Sequence, residues 1–151
     1  MPDKYWDDFD TGFTFKTPSI TVTETHIVTW AGLTMDFYPL HMDKEFAARS
    51  PMKERVAHGP LIFGMAVGMA GLARVEGGSI IAWMGVDGMK MLAPVKIGDT
   101  ITNNVEVVDR RETGKPTQGM QTWRYTIKNQ REETVMVFDM KFLMYRKSSG
   151  A

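Results

Sequence analysis

Asp36 and His41, five residues apart in Met35-Asp-Phe-Tyr-Pro-Leu-His41, are the residues whose types and spacing best suit proton chemistry. An imidazole with a reference pKa of ~6.5 exchanges protons near neutrality, and a carboxylate held beside it can share one water with it. Further along, Gly59-Pro60 opens an apolar segment. A helix starting there leaves its first N–H groups unpaired, so backbone and dipole favour a developing oxyanion. Pro60 suits an early helical position, where its missing N–H costs nothing. Together these features describe acid–base catalysis beside an oxyanion site. On residue types alone, an aspartate and histidine so spaced are more often a helix cap and a surface histidine, and that reading stays open.

Other candidates are weaker. His58 adjoins the helix start, whereas His26 has no acidic partner at a telling spacing and reads as a surface or packing residue. Asp36, His41 and Asp43 offer oxygen and nitrogen donors without an evident fourth ligand, so no metal is expected. The glycines from Gly64 to Gly71 follow no strand and precede no suitably placed acid, which excludes a dinucleotide loop. Lys90, Lys96, Arg110 and Arg111 read as solvated charges, with coenzyme phosphates as the other use for them. No Ser, His and Asp order suggests acyl-enzyme chemistry. The chain has no cysteine, which rules out disulfides, thiolate metal sites and a cysteine nucleophile.

The element that must position this chemistry is the segment from Gly59 to Ala73, which carries no charged or amide side chain. Its apolar residues cover every side of a helix, so a helix buried all round is expected. Its 15 residues fall short of the ~20 that span a bilayer. Gly64, Gly68 and Gly71 share one face, where another backbone could approach closely. Upstream, Thr21 with Glu24 forms an expected capping box ahead of a helix through Leu33. Tyr38 precedes Pro39 and is pushed out of helical conformation, so Asp36 to His41 reads as a loop. Asp43 can cap a short helix through Ala48.

After Gly77-Gly78 the pattern has period two: Ser79 to Met91, Thr100 to Val108, the alternation around Trp123, Tyr125 and Ile127, then Met136 to Met144, with Arg110 to Gly119 as a loop. Phe13 and Phe15 mark an earlier short strand, and residues 1–11 an arm tied down by Tyr5, Trp6 and Phe9. The predicted fold is α+β, one domain over 1–151 with an antiparallel sheet curled around a buried helix. Eighteen basic and eighteen acidic residues cancel, so no global field draws the chain to nucleic acid or anionic lipid. The acidic, aromatic start is no signal peptide, and a cytoplasmic protein is expected. The thirteen methionines read as core filling.

The segment resembles the MaoC-like (R)-specific enoyl-CoA hydratases, whose signature runs approximately as glycine, aspartate, any residue, asparagine, proline, aliphatic, histidine, then an Ala-His-Gly helix start. Here it stands as Met35-Asp36-Phe37-Tyr38-Pro39-Leu40-His41 and Ala57-His58-Gly59-Pro60-Leu61. Trp30 to Thr34, Leu92 to Val95 and Gly98-Asp99-Thr100 are also similar, so the likeness covers most of the chain. The resemblance implies a hot-dog fold, at least dimeric, and hydration of a trans-2-enoyl thioester or the reverse dehydration, as in fatty acid metabolism. It implies no cofactor, an acyl-CoA or acyl-carrier thioester being the substrate. Asp36 and His41 would hold the water and move its proton, the Gly59 N–H would bind the thioester oxygen, and His58, Tyr38 and Gly64 would line the oxyanion and acyl site. Tyr38 stands where the family commonly has asparagine and Gly64 where many members have serine, which implies a reshaped acyl pocket. The rivals in this fold are an acyl-CoA thioesterase and a non-catalytic acyl-thioester binding subunit.

Overall fold

The computed structural model describes residues 3–147, so residues 1 and 2 of the expected arm lie outside it. After a 3-10 turn at Trp6–Asp8 come β1 (Thr14–Lys16), β2 (Ile20–Thr21), α1 (Glu24–Thr34), α2 (Pro39–Met42), α3 (Lys44–Arg49) and α4 (Gly59–Ala73). Then follow β3 (Ile80–Met91), β4 (Thr100–Glu112), β5 (Gln118–Lys128) and β6 (Thr134–Tyr145). All six strands form one sheet along the path β1-β4-β5-β6-β3, with β2 also on β4. Every pairing is antiparallel. This is the α+β architecture the sequence predicts.

Alternation decides which face of the sheet meets the helices. In β5 the alternating buried side chains are Gln121, Trp123, Tyr125 and Ile127, and in β6 they are Met136, Phe138, Met140, Phe142 and Met144, with Val135 buried beside them. They share one core with Leu61, Ile62, Ala66, Met69 and Ala70 of α4. Asn103 of β4, itself buried, donates to the Ala66 carbonyl at 3.1 Å and ties the helix to the sheet. No helix among the described residues is long and apolar enough to cross a membrane.

One expectation is corrected here: α4 is not buried all round. Gly64, Gly68 and Gly71 are exposed, and so is Leu72 at 67%. Among the described residues no backbone closes on the glycine face. A Cβ added at Gly64 would sit 3.7 Å from the Trp30 ring, and at Gly68 or Gly71 nothing lies within 4 Å. Apolar periodicity counts residues that prefer burial, and a single chain has too few neighbours to satisfy them all.

Three boundaries also differ. The N-cap of α1 is Thr23 rather than Thr21, and His26 Nδ1 accepts the Thr23 N–H at 3.0 Å. His26 therefore takes the place that Glu24 was expected to fill, while Thr21 belongs to β2 and bonds Thr100 across the sheet at 2.8 Å. Tyr38 is extended (φ −56, ψ 131), as its place before proline requires, but Pro39 then starts a helical turn that carries His41. The expected loop from Arg110 to Gly119 shrinks to residues 113–117, because β4 and β5 continue pairing to Glu112 opposite Gly119. Asp43 caps α3 as expected, accepting N–H bonds from Glu45 and Phe46.

Candidate active site

α1 stops at Met35, whose left-handed φ of 65 turns the chain and presents Asp36 at the surface. One turn later α2 carries His41, whose Nδ1 lies 2.7 Å from the Val56 carbonyl. A carbonyl only accepts, so Nδ1 holds the ring proton and Nε2 keeps the lone pair of a base. Val56 is fixed in turn by a backbone bridge to Lys96. His58, the N-cap of α4, is 1% exposed and donates from Nε2 to the Asp36 carbonyl at 3.0 Å. Its ring lies over that of His41, with centroids 3.8 Å apart and planes 31° apart.

The structure brings together Asp36, His41 and His58: one carboxylate oxygen and one ring nitrogen from each histidine lie within 4.8 Å of one another. Two hydrogen bonds of ~2.8 Å meeting on one oxygen span up to such a distance, so the carboxylate and the imidazole are close enough to share one water. Gly59 follows directly, and the α4 N-terminus has no side-chain cap. Its first N–H groups are thus available to an oxyanion. Proton exchange and stabilisation of negative charge are what this arrangement can do.

The same three residues offer a metal three donors, one short of a tetrahedral set. Asp43, the third donor suggested by sequence, is occupied as the cap of α3. His58 supplies a different third donor, and one nitrogen of each ring is already turned to a carbonyl, His41 Nδ1 to Val56 and His58 Nε2 to Asp36.

Burial holds the His58 pKa below its ordinary value, so the ring stays neutral and is unsuited to act as the acid. The unfolded chain protonates this histidine below a pH of ~6.5 while the folded one resists, so stability falls as pH drops through that range. Chemical denaturation between pH 7.5 and 5.5 is expected to show this loss, with a shallower slope in His58→Phe.

Tyr38 is 55% exposed and packs edge-to-face with His41 and Phe46, each with centroids 6.1 Å away. Gly64 lies one turn into α4, exposed, with the Trp30 ring 3.7 Å from where a Cβ would sit. Beside Gly59, Met52, Val56, Met91, Leu92 and Pro94 line an open groove of about 310 Å³. The Val56 carbonyl and Met91 were missed in the sequence. A backbone oxygen has no side-chain signature, and Met91 reads simply as the end of a strand. Of the basic candidates, Lys96 pairs with Glu54 at 2.7 Å and Arg110 with Asp10.

A family model described as MaoC like domain matches residues 8–130. The chain is 35% identical over 137 residues to protein MaoC of Klebsiella aerogenes, covering 85% of this chain and 40% of that one. It is 37% identical over 87 residues to an (R)-specific enoyl-CoA hydratase of Rhodospirillum rubrum, covering 58% of each. The chain thus spans less than two thirds of both relatives. Among solved structures, a monoamine oxidase regulatory protein from Archaeoglobus superposes with a TM-score of 0.90 at 35% identity, covering 95% of both chains. A Mycobacterium tuberculosis protein described as a double hotdogfold superposes at 0.85 with 21% identity, covering 98% of this chain and 46% of that one, and shows the hot-dog fold.

Proposed function

The chain belongs to the MaoC-like dehydratase family, and from that membership we propose that it hydrates a trans-2-enoyl-CoA to the (R)-3-hydroxyacyl-CoA, or runs the reverse dehydration. The observation that carries this reading is the Asp36 carboxylate and the His41 ring within 4.8 Å of each other, beside the uncapped start of α4. A water held between the pair gives a proton to one of them as its oxygen bonds the β-carbon. The double-bond electrons move onto the thioester oxygen, where the Gly59 N–H stabilises them, and a proton is returned to the α-carbon. The atoms of one water are thereby added without a redox step. We place this chemistry in the cytoplasm, in fatty acid metabolism, on a coenzyme A or carrier-protein thioester.

The test is product analysis with a short enoyl-CoA. Loss of enoyl absorbance with the thioester intact supports hydration. Release of free thiol would instead mean hydrolysis, and tight binding without either change would mean a binding subunit.

The acting form is proposed to be a homodimer. β3 is a 12-residue edge strand whose outer side has no partner among the described residues, and Trp83 and Met84 on it are 57% and 54% exposed. An exposed apolar edge of this length is a template for pairing with a second copy. Light scattering of the parent is expected to give twice the chain mass, and Met84→Lys to shift it toward one.

A further inference from the structure

His58 is the one member of the cluster that the proposed proton transfers do not use. It is also the one whose presence is hardest to justify by packing. Its Nδ1 is buried with no hydrogen-bond partner among the described residues, while its Nε2 makes a single bond. An orphaned buried acceptor generally costs folding more than one hydrogen bond returns.

We propose that His58 is a positioning residue: its Nε2–H pins the Asp36 backbone, and its ring face backs the His41 imidazole, so that one side chain sets both members of the pair. This rests on the reading that Asp36 and His41 carry the reaction. Asp36 lies between two helices in a stretch with little bonding of its own. Around it Phe37 N–H reaches the Met35 carbonyl at 3.1 Å, and Tyr38 N–H meets the Asp36 carboxylate at a long 3.3 Å. The bond from His58, across 22 residues of chain, ties the Asp36 backbone to the start of α4, where Gly59 offers its N–H. His41 is anchored at Nδ1 alone, which leaves its ring free to tilt until the His58 face, 3.8 Å away, limits it. Carboxylate, imidazole and helix terminus are thereby referred to one buried side chain.

Three full-length variants test this: His58→Phe, which keeps the ring shape and removes both nitrogens; His58→Gln, whose amide N–H2 reaches where Nε2 stood; and Asp36→Asn as the control. Misplacing a reacting group by a fraction of an ångström to an ångström costs up to ~100-fold, so His58→Phe is expected to lose at least ~10-fold in kcat with KM within about threefold. Its melting temperature should be no lower than the parent's, because the orphaned acceptor leaves with the bond. Amide exchange at Phe37 and Tyr38 should quicken by about tenfold as the segment is released. His58→Gln should restore kcat and exchange protection to within about threefold of the parent.

Parental kcat and exchange in His58→Phe would overturn the proposal. So would an equal loss in both His58 variants, or a melting temperature that falls in step with kcat, which would mark a purely structural residue. If Asp36→Asn keeps full turnover, it is the catalytic reading that fails, and the exchange data still decide whether His58 holds the segment.

Discussion

Asp36→Asn and His41→Ala are each expected to lower turnover of a short trans-2-enoyl-CoA by at least ~100-fold, the lower end of what a positioned acid or base contributes. The Asn variant keeps the shape and the backbone bond to His58 but cannot take a proton from water. The Ala variant removes the ring that the Val56 carbonyl holds in its Nδ1–H tautomer at 2.7 Å. Because the two groups share one water, the double variant should be little slower than either single one. KM should change far less than kcat, since the thioester oxygen still meets the α4 terminus. Steady-state kinetics on the four proteins check this. Additive losses would mean that the two residues act on separate steps.

Trp6→Ala is expected to cost about 3–5 kcal/mol of stability, the range for truncating a large buried aromatic. Trp6 is 5% exposed, and its Nε1–H donates to the Met120 carbonyl at 2.9 Å. Arg110 and Arg146 lie over its ring at 3.8 and 4.5 Å from the centroid. Gly119 makes room for that ring, since a Cβ there would come within 2.5 Å of the indole nitrogen. Gly119→Ala should therefore destabilise as well, by about 1–3 kcal/mol through overpacking. Buried Gln121 completes the attachment, donating to the Trp6 and Phe9 carbonyls at 3.0 and 2.9 Å. Urea denaturation of the two variants measures both costs. A loss below ~1 kcal/mol in Trp6→Ala would show an arm that merely rests on the sheet.

These two results bear on different parts of what could be read from sequence. The strands around Trp123 and from Met136 to Met144 were legible because burial on one face imposes period two, and Trp6 and Phe9 were legible as anchors because they are large aromatics in an otherwise polar arm. Arg110 to Glu112 were not, since a strand end rich in charge, with Arg110 half-buried on Trp6 and Arg111 and Glu112 exposed, carries no such period. Pro39 correctly set Tyr38 extended, but four residues from Pro39 to Met42 are too few to display a helical pattern. In α4 the apolar count overstated burial because it cannot say what lies opposite Gly68 and Gly71.

At the site, residue types made Asp36 and His41 candidates and left the reading as a cap and a surface histidine open, the resemblance to the MaoC-like hydratases favoured them, and Pro60 pointed to the helix start. The bonds that orient them end on the carbonyls of Val56 and Asp36, atoms that every residue has and no motif records. That is why His58 could be singled out in the sequence as a neighbour of the chemistry but not as the side chain joining its parts.

The central claim is that water held by Asp36 and His41 is delivered to the β-carbon. Running the reaction in water labelled with heavy oxygen and locating the label by mass spectrometry tests it most directly. The account predicts label in the β-hydroxyl of an intact (R)-thioester, formed by the parent and nearly absent with Asp36→Asn. Label in a released carboxylate, or β-hydroxyl label formed equally by Asp36→Asn, would contradict it.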